Sequence, residues 1–259
     1  MPSHSHIQIV DSLDRGLSYA ESCFETFRVV DGAIFLWDKH WQRLNQGLRS
    51  FGFDIVDKHD EVLASCLQTA QQQGNDALLR LTVSGGDAQW GLQQSATPNI
   101  YVQAGVYPQP TQNNRLQSVE YPFPLHAKSA KFSADYAQIL QALQHWQLET
   151  PQNPLVCKDG YILGGITANI ALLVDGMWLT PEGDGILSGC VRQYLIEQGI
   201  LLATPCKTQV LEQVQAAVLL NSGAFVQGVE GINGKLLDHE HIAIHDLKQI
   251  LMRQEGVSL

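Results

Sequence analysis

The alternation of apolar and polar positions divides the chain into short strands and amphipathic helices. Phe24 to Val30 reads as a strand, Asp31-Gly32 as a two-residue turn and Ala33 to Leu36 as the returning strand. A helix follows at once. Asp38 is placed to cap it, Trp41, Leu44, Leu48 and Phe51 recur on one face, and Gly52 is placed to end it. The same spacing returns from Asp60 to Gln73, with Val62, Leu63, Cys66, Leu67 and Ala70 inward and Gly74 as the stop. Ala77 to Ser84 and Asn99 to Val106 read as strands, the first ending in a turn at Ser84-Gly85-Gly86-Asp87.

The pattern then breaks. Tyr107 to Arg115 is polar and carries Pro108 and Pro110, which makes it the best linker candidate. Beyond it, Asp135 to Leu148 reads as a helix. Leu155 to Leu163 and Asn169 to Thr180 read as hairpins turning at Asp159-Gly160 and Asp175-Gly176. Ser188 to Gln198 reads as a helix capped by Ser188, Ile200 to Cys206 and Ala216 to Asn221 as strands, and about Glu240 to Arg253 as a closing helix. This irregular order predicts an α+β protein with two α/β domains rather than a regular βαβ winding. The smaller domain is expected at 1–106, the linker at 107–116 and the larger domain at 117–259.

Composition narrows the function without naming it. The chain has 259 residues, enough for a sizeable core without disulfide or metal staples, and its 44% hydrophobic content excludes a disordered chain. With 16 Lys and Arg against 26 Asp and Glu, the net charge of −10 gives no general attraction for nucleic acid or an anionic membrane. No apolar run is long enough to span a bilayer, and the N-terminal residues lack the basic and apolar regions of a signal peptide. Cys23, Cys66, Cys157, Cys190 and Cys206 form no CxxC and are odd in number, which predicts reduced thiols and a cytoplasmic location.

Several segments carry candidate chemistry. Ser188-Gly189-Cys190-Val191-Arg192 places a glycine at a helix start, where free N–H groups favour an anion. Asn221-Ser222-Gly223 ends an apolar strand with groups that could add an N–H and a hydroxyl, and Arg43 lies in the first long helix. Alone, each is a weak signal that reads more readily as a helix cap or a solvated face than as a phosphate site. Lys131 precedes a helix, where its charge opposes the dipole; a buried lysine has a lowered pKa and can form a Schiff base, although spacing does not separate Lys131 from Lys128. His239, His241 and His245 have metal-like spacing but read as a polar helix face.

Taken in order, these segments resemble the class IV aminotransferases, the fold type IV pyridoxal-phosphate (PLP) enzymes of D-amino-acid aminotransferase-like architecture. The resemblance runs from about Asp14 to Leu237. It rests on DRGLSYAESCFETFRVVDGAIFLWDKHWQRL (14–44), AKFSADYAQIL (130–140), KDGYILGGITANIALLVDGMWLTP (158–181), ILSGCVRQYLIEQ (186–198) and LLNSGAFVQGVEGINGKLL (219–237). The resemblance implies that Lys131 carries PLP and that Arg43, Ser222 and the N–H groups of Cys190 and Val191 surround its phosphate. Gly164, Thr167 and Asn169 fall in the stretch beside the cofactor ring. A homodimer with its site in the cleft between domains is implied as well. Phe24-Glu25-Thr26 and Asn221-Ser222 are most similar to aminodeoxychorismate lyases, which release pyruvate from 4-amino-4-deoxychorismate and leave 4-aminobenzoate for folate synthesis; Thr26 falls where that subfamily keeps a hydroxyl.

The chain also departs from the family pattern. Gly164 stands where a glutamate usually pairs with the pyridine nitrogen, so a weak electron sink is expected. Val191 replaces a threonine, and Ser84 to Leu92 lacks the usual arginine-glycine-tyrosine pattern. Transamination leans fully on the electron sink, whereas pyruvate elimination ends in an aromatic ring. The expectation is therefore a carbon–oxygen lyase with Lys131 and Thr26 as catalytic residues. The alternatives are an aminotransferase acting on a small amino acid, or a diverged homologue with weakened or lost PLP chemistry.

Overall fold

A computed structural model describes residues 13–74, 76–88, 90–92, 97–107, 114–146 and 152–255. The first half contains β1 (Leu13–Asp14), α1 (Arg15–Tyr19), β2 (Ser22–Val30), β3 (Ala33–Ile34), α2 (Trp37–Arg49), α3 (His59–Gln71), β4 (Asp76–Ser84), β5 (Asp87–Ala88) and β6 (Asn99–Val106). β3, β2, β4 and β6 form an antiparallel sheet in that order, while β1 and β5 pair separately. Strands β2 and β4 pair along their whole length, from Ser22 opposite Ser84 to Val30 opposite Asp76. Side chains alternate between the two faces of such a sheet. Cys23 and Phe27 of β2, with Leu79, Leu81 and Val83 of β4, pack against Leu44 and Leu48 of α2 and Cys66 of α3. Phe24, Thr26, Arg28 and Arg80 therefore belong to the other face.

The second half contains β7 (Arg115–Glu120), α4 (Asp135–His145), β8 (Gln152–Lys158), β9 (Tyr161–Gly164), β10 (Asn169–Val174), β11 (Met177–Pro181), α5 (Cys190–Glu197), β12 (Leu201–Thr204) and β13 (Ala216–Asn221). It continues with β14 (Phe225–Gly228), β15 (Gly231–Ile232), β16 (Lys235–Leu236) and α6 (Ile242–Glu255). Its strands make two five-stranded sheets, β12-β11-β10-β13-β14 and β16-β15-β7-β8-β9. Leu116, Leu155, Ile162, Ile170, Leu172 and Ala217 form a core shared by both sheets. Leu195 of α5 and Leu247 and Leu251 of α6 pack with Leu173, Val218 and Leu220 in another cluster.

The anticipated Asp-Gly turns at 31–32, 159–160 and 175–176 all have positive φ at both residues, the signature of a type I′ hairpin. Asn233-Gly234, between β15 and β16, is a fourth such turn that the hydrophobic pattern did not single out.

Three local expectations are corrected. Asp38 does not cap α2: the helix starts at Trp37 after Leu36, whose φ of 57° turns the chain straight out of β3, and Asp38 lies in the first turn, where it favours the dipole. Ser188 does not cap α5: Gly189 holds that position, and no side chain caps the helix. Arg115 and Leu116, expected in the linker, are strand residues because β7 runs parallel to both β8 and β15. Only Leu116 of β7 is fully buried, so the strand lacks an alternating signature. The rest of the linker candidate, 108–113, lies outside the described residues, as do residues 1–12. No helix among the described residues is long and apolar enough to cross a membrane.

Candidate active site

A cavity of ≈ 130 Å³ opens between the start of α4, the turn before β10, the start of α5 and the end of β13. Lys131 lines it from a segment clipped to β2. The Phe24 N–H donates to the Lys131 carbonyl at 3.0 Å, and the Ser133 N–H donates to the Ser22 carbonyl at 3.0 Å. The ammonium nitrogen lies 5.5 Å from the centre of the Phe24 ring. Burial drives the Lys131 pKa below its ordinary value; Glu25 opposes the shift, while Arg43 and Arg80 add to it. A buried amine that sheds its proton easily is suited both to attack a carbonyl and to act as a base.

The opposite wall is built to receive an anion. Gly189 precedes α5 so closely that a Cβ there would lie 2.1 Å from Asn169 Oδ1. Asn169 in turn donates from Nδ2 to the Leu187 carbonyl at 2.9 Å, which fixes the loop leading to the helix. The N–H groups of Cys190 and Val191, in the first turn, have no acceptor within the helix and border the cavity. Ser222 joins them from the end of β13. There Asn221 Oδ1 accepts from the N–H of Gly223 at 3.0 Å and of Ala224 at 2.8 Å, shaping a tight turn.

Arg43 borders the same cavity, but its charge is already engaged. Its Nε and Nη2 donate to the two oxygens of Glu25 at 2.8 and 2.5 Å, and Nη1 donates to the Ser188 carbonyl at 2.9 Å. The expected phosphate arginine thus joins β2, α2 and the α5 entrance in one network. Glu25 is 1% exposed. Burial raises its pKa, yet Arg43 and His40 outweigh that and hold the carboxyl at about 2. His40 Nδ1 lies 2.7 Å from Glu25 and 3.5 Å from Cys190 Sγ. Its Nε2 has no partner, alone among the buried side-chain nitrogens and oxygens of the described residues.

Of the other expected residues, Thr167 and Asn169 line the cavity, while Gly164 does not; its neighbour Gly165 does. Thr26 is not part of the cavity wall either. It lies on the sheet face shared with Phe24, directly opposite Arg80. His241 and His245 form no metal-ligand cluster; the one such group among the described residues is Glu25, His40 and Cys190, and Arg43 already neutralises it.

Residues 22–232 match the family model described as amino-transferase class IV. The chain belongs to the class IV aminotransferase family. Its enzymes work with pyridoxal 5′-phosphate. A protein of Methanocaldococcus jannaschii assigned as a branched-chain-amino-acid aminotransferase is 24% identical, over 90% of this chain and 86% of its own. The aminodeoxychorismate lyase of Bacillus subtilis is 26% identical over 77% of this chain and 72% of its own. A crystal structure from Legionella pneumophila, assigned as a 4-amino-4-deoxychorismate lyase, superposes with a TM-score of 0.79 at 22% identity, covering 98% of this chain and 96% of that one. The fold is accordingly that of the fold type IV PLP enzymes.

The cavity fits the family cofactor at its two ends: a deprotonation-prone lysine for the aldehyde, and helix-start N–H groups with the Ser222 hydroxyl for the phosphate. Sequence reasoning missed Glu25 and Arg80. A glutamate alternating with Cys23 and Phe27 on a core-facing stripe signals a buried cation partner. Arg80 interrupts the apolar run of β4, sits 3.6 Å over the Phe24 ring and donates to Thr82 Oγ1 at 3.3 Å. No carboxylate of the described residues pairs with it.

Proposed function

We propose that this family member is a PLP-dependent lyase that converts 4-amino-4-deoxychorismate to 4-aminobenzoate and pyruvate. The observation that carries the reading is the sheet face beside Lys131: a hydroxyl, Thr26, opposite a carboxylate-free cation, Arg80, both next to Phe24. Such a face suits an anionic substrate that must lose an oxygen-linked group. Lys128, which also lines the cavity, supplies a second cation for a substrate with two carboxylates.

When bound, PLP supplies a carbonyl for the substrate amine and a ring that spreads negative charge. The work of the chain is then as follows. Lys131 holds the cofactor and, once displaced, takes the proton from the amine-bearing ring carbon as general base. The C–O bond to the enolpyruvyl group breaks as the substrate ring becomes aromatic. Thr26 lies beyond the cavity wall on the sheet face beside Phe24, and it is the hydroxyl assigned to the departing oxygen of a substrate that extends onto that face; the enolpyruvate takes up a proton to become pyruvate. The N–H groups of Cys190 and Val191, with Ser222, anchor the phosphate, and Arg43 shapes that end from behind.

Incubating the holoenzyme with 4-amino-4-deoxychorismate tests the reading. Equal amounts of 4-aminobenzoate and pyruvate are expected. The likeness to branched-chain aminotransferases supports a second reading, so the same preparation is assayed with valine and 2-oxoglutarate; glutamate formation without 4-aminobenzoate overturns the lyase. The active form is read as a cytoplasmic homodimer. A second copy would cover Leu17, Trp90 and Leu92, which are 74%, 98% and 78% exposed. Sedimentation at the dimer mass supports this, and a monomer at assay concentration refutes it.

A further inference from the structure

The wall between β9 and β10 carries no acid, and at Gly164 the backbone itself excludes one. Gly164 has φ +141°, a conformation that side-chain-bearing residues rarely adopt, and a Cβ there would meet the Ala168 carbonyl oxygen at 3.0 Å. The Gly165 N–H closes the turn by donating to that same carbonyl at 2.9 Å. A side chain at 164 would need this turn rebuilt. Leu163 and Ile166 continue the wall and pack with Tyr121, Leu125, Ile139 and Val156, which line the cavity too. Thr167 adds a neutral hydroxyl.

One carboxylate borders the cavity among the described residues, that of Asp135. It lies in the first turn of α4, where the helix dipole favours its charge, and its Oδ1 is 3.3 Å from His126 Nε2. A pyridine nitrogen is a weak base. In an apolar site it stays protonated only when a carboxylate faces it, since burial disfavours the charged form.

We infer that this chain holds PLP with its ring nitrogen unprotonated, and that the Gly164–Ala168 turn is a reaction-specificity determinant. The turn limits how much negative charge the ring can accept. Reactions with a driving force of their own, such as an elimination that ends in an aromatic product, are favoured over amino transfer. The inference rests on PLP binding and deepens the lyase reading without depending on its exact substrate.

The test is ¹⁵N NMR of the holoenzyme loaded with PLP labelled at the ring nitrogen. The signal is expected at the neutral-pyridine position and unmoved by Asp135→Asn. In Gly165→Glu it is expected to move toward the pyridinium position, because Gly165 lines the cavity and a Cβ there meets nothing closer than 3.5 Å. A wild-type signal at the pyridinium position overturns the inference whatever product the enzyme releases, and its loss in Asp135→Asn would give that role to Asp135. A Gly165→Glu signal that stays neutral overturns the assignment of this turn. A neutral nitrogen in an enzyme that forms no 4-aminobenzoate leaves the inference standing and removes the lyase reading alone.

Discussion

Glu25 occupies a position where an acidic side chain is costly to bury, between Cys23 and Phe27 on the core face of β2. Arg43 and His40 make it stable there. Removing one partner of a buried ion pair strands the other charge, so Glu25→Ala should lower stability by about 3–5 kcal/mol. Denaturant unfolding measures this, and a loss under about 1 kcal/mol would show the pair to be effectively solvated. The pH dependence has a definite sign. The folded pKa of about 2 lies below the ordinary glutamate value of 4.5, so the unfolded chain binds the proton more readily. The stabilisation from Glu25 is therefore complete above about pH 4.5 and is lost as pH falls toward 2. Glu25→Gln should flatten that part of the stability profile. At Lys131 the expectation is chemical: Lys131→Ala should abolish both the visible cofactor band and borohydride labelling of the 130–140 segment. A retained label on another lysine would reassign the cofactor attachment.

At the scale of elements, the start of α5 illustrates what local sequence can and cannot tell. A glycine before Cys190 was legible as a helix start, and the free N–H groups follow from that alone. That Gly189 must be glycine was not legible, because the reason is Asn169, which arrives from β10. Gly189→Ala should displace Asn169 and weaken PLP binding about tenfold or more, the equivalent of 1.4 kcal/mol or more. Cofactor titration by absorbance checks this; unchanged affinity would remove the close-packing argument. The hairpins were legible for a different reason: an Asp-Gly pair between apolar runs sets a type I′ turn from local sterics. β7 was not, since a parallel strand takes its pairing from distant partners and its own residues are largely polar.

At the scale of the whole molecule, the cavity is bounded on one side by β10, α5 and β13, while Phe24 of β2 lies against the Lys131 segment. The Arg28 N–H donates to the Ser222 carbonyl at 3.0 Å, and the Arg28 guanidinium, held by Asp76, lies 3.9 Å over the Tyr107 ring. A ligand spanning this junction should stabilise the entire fold. Saturating PLP at 100 times its dissociation constant should add about 2.7 kcal/mol, visible as a rise in Tm. A Tm that PLP does not move would mean that the cavity does not take the cofactor.

The sequence by itself determined the order of the long helices and of most of the strands between them, the Asp-Gly hairpins, a helix start near Ser188-Gly189 and, through its resemblance to class IV aminotransferases, the family and cofactor. These are local or ordered signals: turn chemistry, periodicity and motif succession act over a few residues at a time. The tertiary structure alone decided that Arg43 answers Glu25, that Arg80 stands beside Phe24 with no carboxylate partner among the described residues, and that Gly164 adopts a backbone that side-chain-bearing residues rarely enter. Those facts depend on which side chains meet across distant elements, and a buried charge takes its partner from space rather than from its neighbours in the chain.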